Sequence, residues 1–130
     1  MDLSGLIDAD THVDETDATW EYMGLDDQRF KPVTEIRPNT TSQSGHAELR
    51  DWVTEGIRTR RVVRNDAKSG TRVEARELLD VDVRLRHMDE LGTEIQVIYP
   101  TFFLQVPTSS PEGQIAVARS YNRWLADRCS

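Results

Sequence analysis

An α/β fold that opens strand, long excursion, helix, strand, helix is predicted by three features of the sequence. An apolar lead-in passes into alternating polar positions near the N-terminus. A capped helical stripe covers about 80–91. A compact apolar run at 94–99 is followed by a second capped helix over about 111–128. Two parallel strands neither close a sheet nor bury both faces of such runs. The 130 residues therefore read as the opening portion of a larger α/β protein.

The first strand is expected over 5–13, where residues 3–7 are mostly apolar and 8–15 alternate. An excursion over about 20–77 is too long for a simple crossover and is expected to form a small β-rich insertion. Within it, Thr19–Met23 carries a short helical pattern, and "PNTTSQSGH" (38–46) is a loop by composition. "LRDWVTEGIRTRRVVR" (49–64) predicts a hairpin with Gly56 at its turn, and 65–71 predicts another turn. Val81, Leu85 and Met88 then follow a helical stripe, with Asp80 as its cap and Gly92 just past its end. Ile95, Val97, Ile98 and Tyr99 predict a buried strand that Pro100 ends. Ser110 as cap and Pro111 as first helical residue open the last helix, whose stripe is Val117, Tyr121, Trp124 and Leu125.

Composition excludes several classes. With 23 acidic and 16 basic residues the net charge is −7, which argues against nucleic acid or an anionic membrane as partner. No apolar run approaches the roughly 18 residues of a membrane span. The start, "MDLSGLIDAD", lacks the basic and apolar regions of a signal peptide. The single cysteine, Cys129, allows no internal disulfide and fits a reducing cytoplasm; it reads as a helix-face residue.

The chemistry concentrates in "GLIDADTHVDE", where Asp8, Asp10 and His12 recur at a spacing of two. A calcium loop starting at Asp8 would need glycine and glutamate where Val13 and Thr19 stand, so that reading fails. On a strand, residues i, i+2 and i+4 share a face, so the three side chains would line one side. An imidazole beside a carboxylate suits a divalent zinc, manganese or iron ion. A polar loop whose aspartates cap backbone groups explains the same spacing, and the pattern alone leaves both open.

Other features carry less. His46 and His87 read as solvated surface residues. Arg58, Arg60, Arg61 and Arg64 read as an exposed strand face rather than a carboxylate site. Trp52 and Trp124 read as core or interface anchors. Pro100 either places Thr101 and Phe102 at a pocket mouth or simply ends its strand. No phosphate loop, nucleophile elbow or CxxC pair is present.

Three segments, "IDADTHVDE", "ARELLDVDVRLRHMDELGTEIQVIYPTFFL" and "ARSYNRWLADRC", together resemble the N-terminal part of amidohydrolase family 2. These are metal-dependent hydrolases and decarboxylases related to aminocarboxymuconate-semialdehyde decarboxylase. The resemblance covers roughly 5–15 and 75–129; "DWVTEG" is similar to an insertion found in some members. It implies a (β/α)8 TIM barrel with a metal at the C-terminal mouth and a β-rich insertion after the first strand. Matched position by position, Asp10 takes the first metal-ligand position, where other members carry histidine, and His12 takes the second. Asp8 would support His12 through its other ring nitrogen. The family's remaining ligands and its catalytic histidine and aspartate come from later strands.

The resulting expectation is the N-terminal fragment of a metal-dependent amidohydrolase-like enzyme. It would be a hydrolase or non-oxidative decarboxylase, with zinc as first choice of metal and a small organic, carboxylated or plain, substrate. The alternative is a truncated, non-catalytic remnant serving as an interaction module. In that case a homo-oligomer, most simply a dimer, would cover the exposed strand edges.

Overall fold

The structure is a computed structural model that describes residues 5–40, 48–61 and 70–130. Among these, two small sheets share one core: a parallel pair, β1 (Leu6–Val13) with β5 (Thr93–Pro100), and an antiparallel sheet in the order β2 (Val33–Pro38), β3 (Glu48–Thr54), β4 (Ile57–Arg60). The helices are α1 (Val73–Arg76), α2 (Val81–Leu91) and α3 (Pro111–Arg128), with 3-10 turns at Asp17–Tyr22, Leu25–Phe30 and Phe102–Leu104. The fold is mixed α/β. No closed barrel exists among the described residues.

Local chemistry sets the element ends. The Asp80 side chain accepts from Val83 N at 3.2 Å and opens α2, and Gly92 closes it in the left-handed region at φ 68°. Ser110 Oγ accepts from Gly113 N at 3.0 Å, and Pro111 follows as the first residue of α3. The β3–β4 turn places Glu55 at φ 50° and Gly56 at φ 77°, the positive pair that a tight two-residue hairpin needs. The helical pattern at Thr19–Met23 appears as the 3-10 turn Asp17–Tyr22. His46, Val62, Val63, Arg64 and most of the turn at 65–71 lie outside the described residues.

The hairpin tip also caps a distant helix. Glu55 accepts from Ser109 N (3.1 Å), Ser110 N (3.3 Å) and Ser110 Oγ (2.7 Å), placing a carboxylate at the positive end of α3. A Cβ on Gly113 would lie 2.2 Å from Glu55 Oε2. Gly113→Ala is expected to displace that carboxylate and cost about 1–2 kcal/mol. The cost should shrink sharply in a Glu55→Ala background, as urea denaturation of the four-member cycle would show.

The core lies where β1, β3 and α3 converge. Trp20, Trp124, Val13 and Val117 are fully buried, with Trp52, Leu78, Phe102 and Tyr121 close behind. Ring contacts run from Trp52 to Trp20 (5.8 Å), Phe102 (4.6 Å from Trp20), Phe103, Tyr121 and Trp124. Trp52 and Trp124 are thus core anchors, and the α3 stripe faces inward as expected.

Two expectations fail. The strand 94–99 is not buried here: Ile95, Val97 and Tyr99 are 41–50% exposed. In α2 the buried residue is Arg84, while Leu85 is half-exposed. β5 has a single neighbour strand, and its face bearing Ile95, Val97 and Tyr99 stays open.

Candidate metal-ligand pair on the first strand

The register of β1 against β5 pairs Ile7 with Ile95 and Asp8 with Gln96. It then slips before Thr11 pairs with Ile98 and His12 with Tyr99. Register partners in a ladder share a face. Gln96 Oε1 and Thr11 Oγ1 both accept from Arg84 of α2, at 2.9 and 3.1 Å, so Asp8 and Thr11 belong to the helix-facing side. His12 pairs in register with Tyr99, and their ring centroids are 6.0 Å apart.

Asp8, Asp10 and His12 all line one concavity, although the strand does not alternate regularly between them. The irregularity between Asp8 and Thr11 interrupts the strand's regular alternation. Asp8 does not bond the second ring nitrogen of His12. Its Oδ1 accepts from Asp10 N at 3.2 Å, so its support reaches the backbone of Asp10 instead.

Asp10 Oδ1 stands 3.5 Å from His12 Nε2. Two ligands at ordinary zinc distances in a tetrahedron lie about 3.3–3.6 Å apart, so this pair fits two corners of a divalent-metal shell. His12 Nδ1 is buried and has no hydrogen-bond partner among the described residues. The Asp10 side chain is almost fully exposed and that of His12 mostly buried. No group of three or more His, Cys, Asp or Glu residues gathers as a metal shell among the described residues. The described residues supply two corners and no third.

A concavity of about 450 Å3 runs along β1 and is lined by Asp8, Asp10 and His12 from the strand and Arg76, Arg84 and His87 from α1 and α2. His87, expected in open solvent, is half-buried in this wall. Arg84 is 8% exposed and also donates to Ala75 O at 3.0 Å, tying β1, β5 and α1 to one guanidinium. Burial draws its pKa below the usual arginine value. Arg76 pairs with Asp14 at 3.1 Å, both nearly buried.

Beyond the pair, the ends of β1 and β5 are stitched together. Thr101 Oγ1 donates to Val13 O at 2.6 Å and to Asp14 Oδ1 at 3.3 Å, and Phe102 N donates to Glu15 Oε2 at 2.9 Å. Thr101 and Phe102 thus tie the strand ends together and line a small cavity with Glu15, and Phe102 enters the core. The arginines of β4 and the residue after it also divide. Arg58 and Arg60 flank buried Asp51 together with Arg37, whereas Arg61 lies over the Trp52 ring at 4.4 Å and reaches Asp17.

Arg84, Arg76 and Glu15 were not singled out by sequence reasoning. A charged residue on the inward phase of a helical stripe is the signal that finds Arg84. No family model, curated protein or solved structure matches the chain. Among the described residues, no helix is long and apolar enough to cross a membrane.

Proposed function

We propose that this chain is the N-terminal part of a metal-dependent amidohydrolase-like enzyme, a hydrolase or decarboxylase, in which Asp10 and His12 supply two ligands to one divalent ion. The observation that carries the reading is the 3.5 Å separation of Asp10 Oδ1 and His12 Nε2 in the C-terminal half of a strand paired in parallel. The strand, insertion, helix, strand, helix order supports it, as does the open face bearing Ile7, Ile95, Val97 and Tyr99, which suits further strands of a barrel.

A bound divalent ion, zinc first and manganese or iron as alternatives, would supply Lewis-acid polarisation of a substrate oxygen or a more acidic water. His12 offers a neutral nitrogen and Asp10 a formal negative charge. Asp8 fixes the Asp10 backbone, and Arg84 holds the neighbouring Thr11. The general base and the substrate contacts belong to later strands in this reading. The same open apolar face favours one other reading: a non-catalytic cytoplasmic module that covers it by pairing with a second copy.

Intact mass and metal content of the native gene product decide between them. The enzyme reading expects a chain of about 250 residues or more. It also expects close to one divalent ion per chain, lost to trace levels in Asp10→Ala and in His12→Ala. A metal-free product of 14.9 kDa overturns it.

A further inference from the structure

Glu15 leaves β1 and is 4% exposed. Its Oε2 accepts Phe102 N from the segment that leaves β5, while its Oε1 is buried with no hydrogen-bond partner among the described residues. Asp14 beside it is engaged by Arg76 and Thr101. Arg60 and Arg61, which line the same small cavity, have carboxylates of their own in Asp51 and Asp17. From α3, the Tyr121 phenol feels the charge of Glu15, and its buried oxygen also has no partner among the described residues.

A carboxylate with one buried oxygen and no donor for it is disfavoured against the neutral acid. Burial is the main cause that raises the Glu15 pKa from 4.5 to about 7. The amides of Glu15 and Phe102 oppose it, and the charge of Asp14 adds to it.

We propose that Glu15 is a proton-operated latch between the segments that follow β1 and β5, closed when its carboxyl is neutral and released when it ionises. Closed, Oε1 carries the proton and Oε2 accepts Phe102 N. Ionisation gives that proton to solvent, and the carboxylate gains hydration by drawing its segment away from Phe102. The segments belong to the strand ends beyond His12 and Tyr99, so the latch sets how tightly that rim is held. The inference stands apart from the metal reading, since neither Asp10 nor His12 takes part.

The sign follows from linkage. The folded carboxyl binds its proton more tightly than the unfolded one. Its stabilising contribution is complete below pH 4.5 and is lost as pH rises to about 7. The test uses the intact chain, with 13C NMR titration of the Glu15 carboxyl and amide hydrogen exchange at Phe102 between pH 5 and 9. The expected result is a carboxyl midpoint near 7 and an opening equilibrium at Phe102 that grows at least about tenfold across it, after correction for base catalysis. In Glu15→Gln that growth should vanish. A midpoint below about 5.5, or equal growth in Glu15→Gln, overturns the latch. Should Glu15→Gln fail to fold, the wild-type pair of measurements still decides, since a Phe102 opening that ignores the carboxyl midpoint also overturns it.

Discussion

Trp20→Ala is expected to cost about 3–5 kcal/mol, enough to leave much of the chain unfolded at 37 °C. Trp20 is fully buried and central to the aromatic cluster, edge-on to Trp52 at 5.8 Å and tilted on Phe102 at 4.6 Å. It also joins the sheets, because Trp52 comes from β3 and Phe102 follows β5. The adjacent Thr19 O accepts from Ser120 Oγ of α3 at 2.8 Å, which fixes this turn against the helix and limits collapse around a cavity. Trp20→Phe should be far milder, at about 1–2 kcal/mol. The indole Nε1 has no hydrogen-bond partner among the described residues, so losing it leaves no acceptor stranded. Urea denaturation followed by circular dichroism measures both. A loss below about 1 kcal/mol in Trp20→Ala would refute the central role of the cluster.

What the sequence revealed and what it concealed divide along the range of the forces involved. The ends of α2 and α3 were legible because Asp80, Gly92, Ser110 and Pro111 act within one turn of their own positions. The hairpin was legible because Glu55-Gly56 is its own turn signal. β2 was missed: Val33 and Ile36 are both more than half exposed, so the strand has no buried face to mark it. The parity of β1 was hidden for a different reason. The D-x-D-x-H spacing presumes uninterrupted alternation, while the slip between Asp8 and Thr11 belongs to the pairing with β5. Hence the spacing of two carries no information on the slip, and the 3.5 Å approach of Asp10 to His12 is visible only in three dimensions.

Arg84→Met is expected to destabilise the chain by about 3 kcal/mol while nearly preserving side-chain volume, which separates hydrogen bonding from packing. The guanidinium donates to Thr11 Oγ1, Gln96 Oε1 and Ala75 O, three acceptors on three elements that no water-exposed group replaces when the donors are removed. Arg84→Lys should recover only about 1 kcal/mol, because an ammonium cannot span a planar fork of acceptors. The local consequence matters more for the site. Thr11 lies between Asp10 and His12 and anchors the helix-facing side of β1 just after the register slip. Without Arg84, no hydrogen bond from α2 among the described residues holds that residue, and the two candidate ligands are expected to lose their fixed separation. Backbone hydrogen exchange of β1 should then accelerate in Arg84→Met well beyond the acceleration in the core of α3. A uniform acceleration across both elements would show that Arg84 stabilises the fold as a whole and does not fix the geometry of the Asp10–His12 pair.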